Sequence, residues 1–240
     1  MSGAVHAPRQ ARGAGGVVNS GSLDPQGPVA RVMADLWWLM FWLGLAVFAV
    51  FLVMLGIALF RRTREPADEG SPDTDVEDTT GRIGRWLFGW GVAAPFLVIA
   101  VVFGATLAAM RATPTEPSPD ALVIEVVGHQ WFYEVTYPDH GVRTTDELHL
   151  PVGREVALEL ASADVIHSFW VPELGGKLDM VPGRVNTLVL QADQPGEHQM
   201  RCAEFCGLHH VRMNMPVVVE SPVDFEAWLT AMGGGEDAGG

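Results

Sequence analysis

Two stretches of the chain, Leu36 to Phe60 and Trp86 to Met110, each run 25 residues without a charge. A helix rises about 1.5 Å per residue, so about 20 apolar residues cross the roughly 30 Å hydrocarbon core of a bilayer. A chain of 240 residues has too little interior to bury two such runs. They therefore predict a transmembrane helical hairpin over residues 31–111, with spans at about 36–60 and 86–110. Pro95 and the glycines of the second run would harm a soluble helix, but membrane helices accommodate them through neighbours and local adjustment. Trp37, Trp38 and Trp42 at one end of the first run, and Trp86 and Trp90 at the start of the second, suit the membrane interface. Residues 1–30 are rich in Gly, Ser, Pro and Ala and contain no apolar h-region, so they read as a flexible tail and not as a cleavable signal.

Arginine placement predicts the orientation. Arg61, Arg62, Arg64, Arg82 and Arg85 crowd the connector between the runs, whereas Arg31 and Arg111 stand on the other side, with Arg9 and Arg12 farther out. The positive-inside rule keeps the connector in the cytoplasm and sends the N-terminal tail and the C-terminal region outward. The connector's acidic run, EPADEGSPDTDVED, reads as a solvated loop. Charge is also divided along the chain. Residues 1–111 balance nine arginines against nine acids, while residues 112–240 carry 20 acids and six bases. The excess behind the net charge of −14 thus lies on the external part, where it confers solubility or steers a basic partner. No nucleic-acid partner is expected.

After the Pro-rich linker ATPTEPSPD the pattern changes to short β-branched runs: ALVIEVV, WFYEVTY, REVALELA, NTLVLQA and MPVVVES, bounded by Gly, Pro and Asp. Strands at this spacing predict a sandwich or barrel over residues 112–232. SPVDFEAWLTAM, with Phe225, Trp228 and Leu229 at helical spacing, predicts a closing helix on that domain. Residues 233–240 are a flexible end.

Chemistry concentrates in RCAEFCGLHHVRM, which holds both cysteines of the chain. An external location permits a disulfide. A bridge between Cys202 and Cys206, however, would close a very small loop and leave His210 and Met213 without a role. Zinc rarely takes a thioether. Thiolate, imidazole and thioether together favour copper, and two thiolates can bridge two copper ions if a second histidine arrives from elsewhere. His167, in ADVIHSFWVPELGGKLDMVPGR, is a candidate. At this point disulfide and metal site both stand.

HQWFYEV, DVIHSFWVPELGGKLDMVPGR and CAEFCGLHHVRMNMPVVV, in this order after two spans, resemble subunit II of haem-copper cytochrome c oxidases over roughly residues 30–230. The resemblance implies an α+β membrane protein: two transmembrane helices followed by an external cupredoxin-type Greek-key β-barrel that carries the binuclear copper centre called CuA. Its loop pattern falls on Cys202, Glu204, Cys206, His210 and Met213, with His167 upstream and His209 in a spacer position. It implies that the Glu204 carbonyl is a weak copper ligand. The Glu204 carboxylate would help to bind a Mg²⁺ or Mn²⁺ shared with subunit I. Trp131 corresponds to the tryptophan through which electrons enter from a c-type cytochrome.

The implied partners are the haem-bearing subunit I, a third subunit, the cytochrome and membrane lipid. The implied location is a bacterial inner membrane with the domain on its periplasmic side. Members that oxidise quinol instead are expected to lack the copper ligands, whereas all six are present here. The start of the second span, GRIGRWLFGW, offers no carboxylate for a proton channel. The absence of a Cys-x-x-Cys-His run excludes a fused c-type haem.

Overall fold

The computed structural model describes residues 21, 23–62, 81, 84–86 and 88–233. Most of the expected cytoplasmic connector between the spans (63–80, 82 and 83), most of the N-terminal tail and residues 234–240 lie outside the described residues.

Helix α1, Pro28–Arg62, contains the first uncharged run. At 35 residues it is about 52 Å long, well beyond the hydrocarbon thickness. The surplus is at its N-terminus, where it leaves the membrane-facing run and packs on the β domain. Val29, Ala30 and Ala34 are buried there. Ahead of the helix, the Gln26 N–H donates to the Glu173 carbonyl at 2.7 Å, and the Gln26 carbonyl accepts from the Asp193 N–H at 2.8 Å. Arg31 pairs with Asp193. The expectation of a flexible tail through residue 30 is corrected for residues 26–30. Their Gly- and Pro-containing composition hid backbone hydrogen bonds made by Gln26 to Glu173 and Asp193, in loops far away in sequence.

The second helical segment, Gly84–Ala112, is also long and apolar enough to cross a membrane. It contains a π-helical turn at Gly89–Ala93 followed by helix α2, Ala94–Ala112. Pro95 falls in the first turn of α2, where a missing N–H costs least, and the π turn lies directly upstream.

The external domain is built from ten strands in two main sheets and one ribbon. The five-stranded sheet has the order β3-β2-β1-β5-β8, formed by β1 Leu122–His129, β2 Phe132–Tyr137, β3 Val142–Thr145, β5 Val156–Ser162 and β8 Asn186–Leu190. The second sheet is β4-β10-β9, from β4 Leu148–Pro151, β10 Asn214–Glu220 and β9 Gly196–Arg201. A two-stranded ribbon joins β6 His167–Phe169 to β7 Leu178–Met180. β1 and β5 run parallel, as do β4 and β10, so each pair needs a crossover and not a hairpin. This is the cupredoxin-like architecture the sequence implies.

Period-two alternation sends Leu122, Ile124 and Val126 of β1, Tyr133, Val135 and Tyr137 of β2, and Met215, Val217 and Val219 of β10 into one shared core. Helix α3, Pro222–Gly233, closes that core with Phe225 and Leu229. Its N-terminus is capped by Ser221, whose hydroxyl accepts the Asp224 N–H at 3.2 Å and donates to the Asp224 carboxylate at 2.6 Å. Trp228 stacks on the His149 ring at 4.0 Å.

Candidate metal centre

Three segments converge at one end of the core. β6 brings His167, which is fully buried, as are Ser168 and Phe169 after it. The loop from β9 to β10 brings Cys202, Cys206, His210 and Met213. The β1–β2 hairpin brings Gln130 and Trp131.

The two cysteines are free and buried, with their sulfurs 3.8 Å apart. The disulfide considered from the sequence is not formed. Around Cys206 Sγ stand His210 Nδ1 at 3.6 Å and Met213 Sδ at 3.6 Å. The Glu204 carbonyl lies 3.2 Å from Cys202 Sγ. A His167 ring nitrogen and the two sulfurs lie within 4.8 Å of one another. His167 Nδ1 is buried and has no hydrogen-bond partner, while its Nε2 faces the Asp164 carboxylate at 2.8 Å. A buried acceptor without a donor is costly, and a metal ion between this nitrogen and the thiols would satisfy it. Two thiols, two imidazoles, a thioether and a carbonyl form a soft-to-borderline donor set that fits copper.

Electrostatics keep the metal-free Cys206 thiol neutral. Burial, then the neighbouring Cys202, push the Cys206 thiol up to about 12. Burial and the same cysteines also raise the Tyr133 phenol, whose hydroxyl donates to the Ser168 carbonyl at 3.3 Å. Thiolate therefore forms here when a cation takes the place of the proton.

Two glycines make room for the site. A β-carbon on Gly128 would stand 2.9 Å from His167 Cδ2, so only glycine lets β1 pass beside this ring. Gly207, directly after Cys206, has φ of +117° and backs onto Trp131 and Gln130.

The other residues singled out from the sequence are placed as follows. Trp131 is half-buried against the core, and its indole N–H donates to the Cys206 carbonyl at 3.3 Å. His209 packs edge-on against the Trp131 ring, with centroids 4.6 Å apart. The Glu204 carboxylate pairs with Lys177, which also lies 3.6 Å from Asp179. Gln130, Asp164 and Gly128 were missed in the sequence, because no spacing rule links them to the cysteine loop. Burial would raise the Asp164 carboxyl, but hydrogen bonds from His167, Val165 and Gln130 outweigh it and hold the group below the usual carboxylate range.

Fold and site together define a membrane-anchored, cupredoxin-like domain with a buried centre of soft metal ligands. A family model described as the periplasmic domain of cytochrome c oxidase subunit II matches residues 141–222. Cytochrome c oxidase subunit 2 of Alkalihalophilus pseudofirmus is 34% identical over 90% of this chain and 63% of its own length. Quinol oxidase subunit 2 of Bacillus spizizenii is 29% identical over 90% of this chain and 67% of its own length. A solved structure of the periplasmic domain of subunit II of cytochrome oxidase from Bradyrhizobium japonicum is 27% identical. It covers 49% of this chain and 96% of that domain, with a TM-score of 0.47. The chain is thus similar to subunit II of haem-copper oxidases, over residues 141–222 in the family model and over 90% of the chain in the first of these relatives. It spans less than two thirds of the length of the first of these relatives.

Proposed function

We propose that the chain is the electron-accepting subunit of a proton-translocating terminal oxidase, which takes single electrons from a c-type cytochrome and passes them to haem in subunit I. The observation that carries this reading is the grouping of a His167 ring nitrogen with the Cys202 and Cys206 sulfurs, with His210 and Met213 gathered around Cys206 Sγ. In this reading His167, Cys202, Cys206 and His210 hold two copper ions, with Met213 and the Glu204 carbonyl as weak ligands. Held by these residues, the copper would supply a one-electron relay with little change of geometry.

The chain's own residues do the rest. The rigid sheets hold the ligands in position before loading, so little reorganisation accompanies electron transfer. Trp131 offers the entry path, because its indole N–H meets the carbonyl of a ligand cysteine at 3.3 Å. The Glu204 carboxylate, in exchange for Lys177, binds a Mg²⁺ or Mn²⁺ at the contact with subunit I; hard oxygen suits those ions. A third subunit and membrane lipid complete the surroundings. The domain faces the periplasm of a bacterial inner membrane, with the arginine-rich connector in the cytoplasm.

A second reading follows from the likeness to a quinol oxidase subunit: the donor would be a quinol and the site would be a packing relic. The donor set argues against it, since a relic has no use for two buried free thiols beside a partnerless imidazole nitrogen. Copper analysis of the full-length chain in detergent decides. The expected result is about two copper ions per chain with a mixed-valence electron spin resonance signal, abolished in Cys206→Ser. A chain that takes up no copper overturns the reading and leaves the quinol alternative.

A further inference from the structure

We propose that Asp164 is a positioning residue: one carboxylate that fixes the tautomer and orientation of His167 and ties it to the hairpin carrying Trp131. The inference rests on the copper reading above for its metal-loaded consequences, and on geometry alone for the metal-free ones.

Asp164 lies in the turn between β5 and β6. One oxygen, Oδ1, faces His167 Nε2 at 2.8 Å and accepts the Val165 N–H at 2.6 Å. The other, Oδ2, accepts the backbone N–H of Gln130 at 2.7 Å. Gln130 in turn donates its side-chain amide to the Cys206 carbonyl at 2.8 Å, and Trp131 donates its indole N–H to the same oxygen. A short chain of contacts therefore runs from the His167 ring through Asp164 to the entry hairpin and back to a ligand cysteine. Ser162 steadies the turn, accepting the Asp164 N–H at 3.3 Å and donating to the Val165 carbonyl.

An ionised carboxylate can only accept, so Nε2 of His167 must carry the hydrogen. Nδ1 is then left as a bare lone pair, buried and without a partner, on a ring that has one nitrogen within 4.8 Å of both sulfurs. Metal-ligating histidines commonly donate their second N–H to a carboxylate, which sets the tautomer and raises ligand basicity. A residue that only formed the turn would need the Val165 contact and nothing more. The contact to Gln130, 34 positions away, and the contact to the imidazole serve no turn.

The test uses the full-length chain with Asp164→Ala and Asp164→Asn. Asparagine keeps one oxygen for the turn but presents an N–H₂ to the other donor, so it serves where alanine fails to fold. In the metal-free chain, ¹⁵N spectra of histidine should show His167 as the Nε2–H tautomer. The variants should mix the two tautomers, and the Trp131 indole N–H signal should shift with them. After copper loading, the variants should bind about 10- to 100-fold more weakly. They should also show a raised midpoint potential and altered copper hyperfine couplings, because the oxidised centre loses the more basic imidazole. Folded variants with unchanged tautomer, indole signal, potential and hyperfine couplings would overturn the proposal and leave Asp164 a turn residue. If the unaltered chain bound no copper while the tautomer and indole signals moved as stated, the copper reading would fail and the positioning role would stand.

Discussion

Cys206 sits where the contacts of the centre cross: its sulfur meets Cys202, His210 and Met213, and its carbonyl accepts from Gln130 and Trp131. Burial is the first cause that pushes its thiol up to about 12, so at neutral pH the metal-free side chain is protonated. A copper ligand must be thiolate, and loading therefore expels that proton. Apparent copper affinity should rise about tenfold per pH unit for each proton released, as long as the pH stays below the raised value. Titration calorimetry in buffers of different ionisation enthalpy measures the release; a proton count of zero would show that the thiolate already exists without metal. The stability of the metal-free fold carries the same sign. A thiol held above its ordinary range contributes stability that is complete below that range and is lost as pH rises through it. Chemical denaturation of the metal-free chain should therefore show a falling midpoint on the alkaline side, a fall that Cys206→Ser reduces.

At the scale of elements, the informative join is between α1 and the β domain. Three features compete to hold it: the Arg31–Asp193 pair, the two backbone bonds of Gln26, and the buried Val29, Ala30 and Ala34. The ion pair is half-exposed at its arginine, and such surface pairs contribute about 0–1 kcal/mol. Trimming Val29 to alanine removes two methyl groups from a buried contact with Gly175, at about 1–2 kcal/mol. Val29→Ala should therefore loosen the join more than Arg31→Ala. Limited proteolysis of the detergent-solubilised chain reads this as earlier cleavage ahead of Pro28. Equal rates for the two variants, or a larger effect from Arg31, would mean that charge dominates the contact. In contrast, α3 needs no such competition, because Ser221 caps it and Phe225 and Leu229 enter the same core as the strands.

For the molecule as a whole, the 20 acids against six bases beyond residue 111 set the field around the external domain. A donor cytochrome with a basic face would be steered toward it, which raises association rates by about 10- to 10³-fold at low salt. Screening shortens the reach of that field to about 8 Å at 0.15 M. In the assembled oxidase, stopped-flow oxidation of a basic cytochrome c should slow as ionic strength rises, while the rate within the preformed complex stays level. Trp131→Gln should do the opposite, slowing transfer inside the complex and sparing its salt dependence. A rate indifferent to salt would leave the acidic surface a matter of solubility.

Local features of the sequence determined the two apolar helices, the strand-rich domain after the Pro-rich linker and the capped closing helix. Each depends on periodicity or composition within a window of contiguous residues. The grouping of Cys202, Cys206, His210 and Met213 was legible for the same reason: they share one loop, and their ligand types already imply soft-metal chemistry. Only the tertiary structure decided that the sulfurs stay unbonded at 3.8 Å, that a His167 ring nitrogen joins them and that its Nδ1 is left without a partner. It alone brought Asp164 and Gly128 to the same ring, tied Gln130 to Asp164 and fastened residues 26–34 to the β domain. Apart from the local pairs Asp164–His167 and Cys202–Cys206, those relations join positions tens of residues apart. Nothing in the residue types of a single segment encodes which distant backbone group will stand within 3 Å of it.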